Sequence, residues 1–181
     1  MVSAMNTDTW QATDFSHPHS TLGAMLWLMQ HAPYHSQWTL HDLEVDILPP
    51  MALGQYRLYH TPEGEPFGFV TWAYVSEEVK DILVERKRPM QWSDWTSGEL
   101  LMFNDFVAPF GHGRWMVNEL RSNLFANSVA FSLRRSLEGG VRKINHWEGI
   151  AYRREMKRGE AEATPRPPHL DDSPSKTRAM A

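Results

Sequence analysis

The sequence contains no cysteine, no long hydrophobic run and no excess of basic charge. Without cysteine the chain cannot form a disulfide scaffold, a thiolate-ligated zinc or iron–sulfur site, or a thiol nucleophile. No apolar stretch approaches the ~18 consecutive residues of a transmembrane helix, so we expect no membrane span. The first twenty residues also lack the basic start and apolar run of a secretory signal, which predicts a cytoplasmic protein.

The charge balance argues against nucleic acid as a partner. The 181 residues carry 18 basic and 22 acidic side chains, which gives a formal net charge of −4. A slightly acidic chain without a basic block is a poor nucleic-acid binder. Apolar residues make up 41% of the chain, enough to bury one core, and this excludes wholesale disorder.

The composition changes near both ends, which predicts one domain with two loose termini. Residues 1–19 are polar and are interpreted as a flexible N-terminal arm. Residues 153–181 hold four of the 12 prolines and almost no large apolar side chain, so burial cannot offset their ordering entropy. We therefore expect a disordered tail there and a working domain over residues 20–152.

Two helices are predicted in the first part of this domain. Residues 22–31 place Leu and Met side chains at helical spacing on one face, and Pro33 ends the pattern. Residues 38–47 are compatible with a second short helix, closed by Pro49 and Pro50.

Strands are predicted next. Residues 54–60 and 66–75 are rich in aromatic and β-branched side chains and flank a Pro- and Gly-containing turn, as in a β-hairpin. Residues 77–91 are charged and ambiguous, and residues 100–107 form an apolar run typical of a buried strand.

A glycine-containing turn leads into the last part of the domain. Residues 111–125 begin with two glycines and then become helical, while residues 129–133 and 141–147 are short strand or helix candidates. Helices mixed with hairpins predict an α+β (α/β) fold, with a central, mostly antiparallel sheet flanked by helices.

Asp105 is the most unusual polar residue, because it lies inside an apolar strand pattern. Asp is depleted in strands and is rarely buried without a partner. Its partner could be a histidine, an arginine or backbone N–H groups, and a carboxylate that fixes a histidine tautomer is a recurring catalytic device. The alternative is a structural Asp that caps the following loop.

His35 lies in a turn after the first predicted helix, between aromatic residues. A neutral imidazole near pH 7 can accept a proton or act as a nucleophile, although a packing or surface role is the commoner one. The histidines show no HExxH pattern, and Pro33 breaks the helix that would align His31 with His35 four residues later, so we expect no metal site.

The turn Gly111-His112-Gly113 followed by Arg114 could approach an anion. Glycine lets the backbone come close to a ligand, and a helix N-terminus favours negative charge. The phosphate of a carried cofactor could bind at Gly111, Gly113 and Arg114, but an ordinary strand-to-helix turn explains the same residues.

Several segments together resemble the RTX toxin-activating lysine acyltransferases, also called hemolysin-activating proteins. The segment over residues 22–38 is similar to the family's Leu-Gly…Trp-Leu…Pro-x-His-x-x-Trp, and Thr71-Trp72-Ala73 to its Ser-Trp-Ala. The most specific match is residues 94–111, DWTSGELLMFNDFVAPFG. The resemblance covers roughly residues 20–150 in order.

The resemblance implies a GNAT-like fold and an enzyme that moves a fatty acyl chain from acyl-acyl-carrier protein to the ε-amine of internal lysines in an RTX protoxin. His35 matches the family's essential histidine and Asp105 its essential aspartate. No permanently bound cofactor is implied, and relatives suggest a homodimer. His35 would act as general base or form an acyl-imidazole, with Asp105 orienting it and apolar residues of 67–72 and 101–107 lining an acyl groove.

Two positions depart from the family pattern, and two other functions stay open. Ala32 replaces a common Ser, and Asp46 brings a negative charge where many relatives have Asn. The chain could instead be a GNAT-like N-acetyltransferase using acetyl-CoA, or a non-catalytic binding module. The first needs a fuller phosphate loop than Gly111-x-Gly113, and the second expects His35 and Asp105 to lie apart.

Overall fold

A computed structural model of the chain describes residues 11–12, 18–85, 87–135 and 141–163. They contain one six-stranded sheet with the strands in sequence order. The strands are β1 Gln11–Ala12, β2 Tyr56–His60, β3 Pro66–Val75, β4 Leu100–Val107, β5 Val129–Arg135 and β6 Val141–Glu148. All neighbours pair antiparallel except β4 and β5, which are parallel. The predicted α+β fold with a mostly antiparallel sheet is therefore confirmed.

Helices occupy the connections. They are α1 Pro18–Gln30, α2 Leu40–Asp46, α3 Leu48–Leu53, α4 Glu77–Val84, α5 Gly113–Glu119 and α6 Ile150–Ala163. Two 3₁₀ turns, His35–Gln37 and Trp92–Thr96, precede α2 and β4, and a π-helical turn, Leu120–Leu124, extends α5. The parallel β4–β5 pair needs a crossover, which α5 and the π-helical turn supply.

Helix α1 packs on the sheet through Met25 and Leu28. Both are fully buried against Leu58 of β2 and Phe69 of β3. Its apolar spacing is therefore used as the sequence predicts. On α5, Met116 is fully buried, and a side chain at Gly68 would place its Cβ 2.4 Å from the Met116 sulfur. Gly68 thus lets α5 lie close against β3.

Three predicted boundaries differ from the structure. Pro49 and Pro50 do not close a helix but lie in the first turn of α3, where proline's missing N–H costs nothing. Helix α4 occupies most of the ambiguous residues 77–91, with Ser76 accepting the Val79 N–H as its cap. Helix α6 runs from Ile150 to Ala163 and so continues past residue 153, where the predicted tail begins.

Helix α6 persists there because Tyr152 donates its backbone N–H to the Ala126 carbonyl, which ties the first turn to the domain. The predicted arm also contains regular structure, since Gln11 and Ala12 pair with β2 and Pro18 begins α1. The rest of the predicted arm and tail lies outside the described residues.

Candidate active site

The site begins where the parallel strands β4 and β5 separate. Strands β4 and β5 pair only through Leu101 with Ala130, Met102 with Phe131 and Phe103 with Ser132. Beyond these pairs both strands continue without pairing to each other, and a cavity of about 720 Å³ opens between them. The fork therefore brings residues of both strands to one cavity.

The cavity walls are mainly apolar with a few polar groups. The lining residues come from the turn before α2, the end of α2, β4, α5, β5 and β6. They are Tyr34, His35, Trp38, Asp46, Phe103, Asn104, Asp105, Phe106, Gly113, Arg114, Val117, Ser132, Leu133, Arg134, Asn145 and Trp147. Such a lining suits a ligand with an apolar chain and a polar reacting group.

His35 is held by a short helical turn. The Ser36 N–H donates to the Ala32 carbonyl at 2.9 Å and the Trp38 N–H to the His35 carbonyl at 3.1 Å, which closes the turn after α1. The imidazole lies between the rings of Tyr34 and Trp38, with centroids 5.0 and 4.7 Å away. Because position 32 contributes its backbone carbonyl, Ala fits there as well as Ser.

Asp105 accepts a hydrogen bond from His35, with 3.0 Å between Oδ1 and Nε2, and each side chain is only 9% exposed. The other carboxylate oxygen accepts from Asn104 Nδ2 at 2.9 Å. The Asp105 backbone N–H donates to the hydroxyl of the fully buried Thr71 at 3.1 Å. Thr71 lies where the β3–β4 register shifts. Asp105 is therefore fixed from three sides, and its partner is a histidine.

The hydrogen bond defines the chemistry of the imidazole. An ionised carboxylate only accepts, so in the neutral ring the proton is on Nε2 and the basic lone pair on Nδ1. Among the described residues no group makes a hydrogen bond to Nδ1. His35 can therefore take a proton from a ligand at Nδ1 while Asp105 stabilises the imidazolium.

Asp46 joins the same network from the C-terminal end of α2. Asn104 Nδ2 donates to Asp46 Oδ1 at 3.2 Å as well as to Asp105. One amide thus bridges two carboxylates, and the cavity carries two acidic groups beside the imidazole. The departure at position 46 therefore lies inside the site.

The glycine turn is only partly in the cavity. Gly111 has φ +87°, a conformation that favours glycine, and it is not among the lining residues. Gly113 and Arg114, at the start of α5, do line the cavity. Arg114 makes no ion pair within the part of the chain that the structure describes.

The other histidines have different surroundings. Burial lowers the pKa of both His60 and His112, which keeps these rings neutral at physiological pH. His31 packs against Trp27 and Phe110 at the surface. No group of three potential metal-ligating side chains occurs among the described residues.

Sequence reasoning missed Asn104, Thr71 and Arg134. Asn104 carried a signal, since an amide beside a carboxylate in an apolar strand needs a polar partner. Thr71 was noted only within the family-like Thr71-Trp72-Ala73. Neither Thr71 nor Arg134 carried a signal of its place in the site, because that place depends on the bulge in β3 and the fork between β4 and β5. Of the residues expected to line an acyl groove, Phe103 and Phe106 of β4 line the cavity, whereas residues 67–72 of β3 are buried in the core and do not line it.

Comparison with known proteins gives a consistent result. A family model described as HlyC, the RTX toxin acyltransferase family, matches residues 16–148. Lysine-acyltransferase RtxC of Vibrio cholerae is 38% identical over 104 residues, which cover 58% of this chain and 68% of the relative. Leukotoxin-activating lysine-acyltransferase LtxC of Aggregatibacter actinomycetemcomitans is 32% identical over 128 residues, or 71% and 75% of the two chains. Protein-lysine myristoyltransferase HlyC of Escherichia coli is 27% identical over 132 residues, or 73% and 75%.

Proposed function

Because the chain belongs to the RTX toxin acyltransferase family, we propose that it transfers a fatty acyl chain from acyl-acyl-carrier protein to the ε-amine of internal lysines of an RTX protoxin. The observation that carries this proposal is the His35–Asp105 pair, 3.0 Å apart, in a cavity with largely apolar walls. An apolar cavity suits the acyl chain, and the pair suits deprotonation of the acceptor.

The acceptor lysine sets the chemical requirement. Its ordinary pKa is ~10.4, so at neutral pH it is mostly an ammonium that cannot attack a carbonyl. We assign His35 as the general base that takes one proton of the ammonium through Nδ1, which frees the nitrogen lone pair for attack on the thioester carbonyl. The carbon–sulfur bond then breaks, the second proton of the attacking nitrogen passes to the departing thiolate so that the carrier leaves as a thiol, and the amide remains on the lysine. Asp105 orients the imidazole and stabilises its cation.

A second role for His35 fits the same geometry. Its Nδ1 could attack the thioester itself and carry the acyl group as an acyl-imidazole before the lysine attacks. Rapid mixing of the enzyme with the acyl donor alone distinguishes the two, because only the second gives a burst of free carrier without acceptor.

The donor side of the site is proposed to involve the glycine turn. The phosphopantetheine phosphate of the carrier would bind at Gly111, Gly113 and Arg114, supported by the position of Gly113 and Arg114 in the cavity lining. CoA-dependent N-acetyltransferases need a fuller phosphate loop than Gly111-x-Gly113, with an Arg or Gln three residues before the first glycine, where this chain has Ala108; this disfavours an acetyl-CoA donor. The close His35–Asp105 pair disfavours a non-catalytic module. A thermal-shift comparison of CoA with acyl-carrier protein tests the choice of donor.

The remaining expectations stay part of the proposal. The acyltransferase domain spans residues 20–152, acts in the cytoplasm, forms a homodimer and uses neither a permanently bound cofactor nor nucleic acid. Within the described residues no helix has the length and apolar character needed to cross a membrane.

The experiment is a lysine-acylation assay with acyl-carrier protein and a protoxin fragment, read by mass spectrometry. We expect His35→Ala to lower the rate by about 10²–10⁴-fold, the usual contribution of general-base catalysis. Asp105→Asn should act mainly on kcat, because an amide can donate to Nε2 and favour the wrong tautomer. The control is His41→Ala, whose side chain is 76% exposed and outside the cavity lining. Full activity of His35→Ala contradicts the catalytic role.

A further inference from the structure

Two cations face each other across β5 and β6 beside the cavity. Arg134 and Lys143 are directly opposite in the antiparallel register, so their side chains share one face of the sheet. Like charges directly opposite on neighbouring strands repel each other. Both residues are exposed, and in the described part of the chain neither makes an ion pair or hydrogen bond. The pair therefore lacks an acidic partner there.

The shared face contributes residues to the cavity lining. Ser132, two residues before Arg134 on β5, accepts a hydrogen bond from Trp147 Nε1 at 3.0 Å, and both line the cavity. Side chains two residues apart in a strand point to the same side, and Arg134 itself is a lining residue. Lys143, opposite Arg134 on β6, lies outside the cavity lining.

The cavity lining carries charges of both signs. Asp46 and Asp105 contribute carboxylates from α2 and β4, whereas Arg114 and Arg134 contribute guanidinium groups from α5 and β5. A lysine acceptor is attracted to carboxylates, and an anionic donor group to guanidinium groups, which bind phosphate through paired N–H donors. The lining therefore offers carboxylates for the acceptor and guanidinium groups for an anion.

We infer that Arg134 and Lys143 form an anion-binding site that takes the phosphate of the donor's phosphopantetheine arm, in addition to the contacts proposed for the glycine turn. This inference rests on the proposed function, since a carrier-bound donor supplies that phosphate. Neutralisation by the phosphate also relieves the repulsion between Arg134 and Lys143, which gives the like-charge pair a physical reason.

The test measures binding of two small probes, phosphopantetheine and pantetheine, to the full chain by calorimetry at low and high salt. The wild type is expected to bind phosphopantetheine at least about tenfold more tightly, the equivalent of one charge-assisted hydrogen bond, and to lose this preference as salt rises. Arg134→Gln combined with Lys143→Gln is expected to bring the two affinities close together.

The control removes one arginine and one lysine elsewhere. Arg154→Gln combined with Lys157→Gln changes the net charge equally on exposed positions of α6, and it should keep the phosphate preference. A preference retained in the Arg134/Lys143 variant overturns the inference. A second outcome also overturns it: the wild type shows no preference for phosphopantetheine over pantetheine, and the Arg134/Lys143 variant raises the KM for acyl-carrier protein. The two cations would then contact the surface of the carrier protein rather than the phosphate.

Acylation of the protoxin fragment is followed in parallel with the wild type. If the wild type prefers phosphopantetheine but does not acylate the fragment, the proposed function is rejected and the anion site is kept. If it acylates the fragment but shows no such preference, the proposed function is kept and the anion site is rejected. Thermal unfolding verifies that each variant is folded, and the single substitutions replace the double one if it is not. Each single substitution should lose part of the preference.

Discussion

At the scale of single residues, the important asymmetry is between the two nitrogens of His35. Nε2 is committed to Asp105 at 3.0 Å, so proton transfer must use Nδ1. Asn104 keeps the Asp105 carboxylate in place from its other oxygen at 2.9 Å. Because Asn104 also donates to Asp46, a change at position 46 reaches the imidazole through only two hydrogen-bonded residues.

Asp46→Asn tests what the second carboxylate contributes. The substituted side chain can still accept from Asn104, so the network is kept while one negative charge is lost. We expect the KM for the protoxin fragment to rise about threefold at low salt and less at high salt, since a surface-accessible carboxylate attracts the lysine ammonium over a screened distance. The kcat should change little.

Steady-state kinetics at two salt concentrations measure both parameters. Asp42→Asn is unsuitable as a control because its carboxylate caps α2 through Thr39, so Asp81→Asn on the exposed face of α4 serves instead. A lower KM in Asp46→Asn contradicts the prediction and assigns the carboxylate an inhibitory effect.

At the scale of elements, the sequence was most informative where one pattern decides the structure. The apolar runs of β3 and β4 and the hydrophobic face of α1 are present at nearly the predicted residues. Helix α3 was missed because Pro49 and Pro50 fit both the end of one helix and the first turn of the next. Helix α6 was missed because its residues are polar, and its support comes from the distant Ala126 carbonyl.

The 3₁₀ turn Trp92–Thr96 shows how a charged side chain stabilises a local element. Arg88 donates to Asp94 at 3.0 Å between Nη2 and Oδ1, and the Gln91 N–H donates to Oδ2 at 2.7 Å. The hydrogen bonds from Arg88 hold the pKa of Asp94 below its ordinary value of 3.8. This 3₁₀ turn places the fully buried Trp95 in the core beside β3 and β4.

Asp94→Asn should lower the free energy of unfolding by about 2 kcal/mol at neutral pH, the scale of hydrogen bonds to a charged group. A carboxyl with a depressed folded-state pKa stabilises the protein above its unfolded pKa, and this contribution disappears as the pH falls through the folded value. The difference between wild type and variant should therefore shrink below pH 3.8. Urea unfolding across pH measures it, with Asp81→Asn as control. A difference independent of pH would contradict the ionic origin.

At the scale of the whole molecule, the site depends on a sheet that is nearly divided. Three residue pairs join β4 to β5, and the cavity occupies the gap beyond them. The sequence predicts His35 and Asp105 as site residues through a family resemblance and an aspartate inside an apolar strand pattern, and the structure places the two side chains 3.0 Å apart. The cavity could not be predicted from the sequence, because the residue at which two parallel strands stop pairing depends on how α5 and β6 pack. Ser132 and Asn145, for example, look like ordinary polar strand residues.

The division of the sheet makes cavity size a property of the whole fold, and Val117 on α5 offers a way to change it. Val117 lines the cavity, while its neighbour Met116 is fully buried in the core. Val117→Trp should fill part of the cavity without disturbing the core. We expect transfer of a long acyl chain such as myristoyl to fall about tenfold relative to transfer of acetyl, because the smaller cavity cannot accept the longer chain. Val129→Trp, at a strand position that is 46% exposed and outside the lining, is the matched control. Competition between the two donors in one mass-spectrometric assay gives the ratio directly, and an unchanged ratio would mean that the acyl chain binds elsewhere.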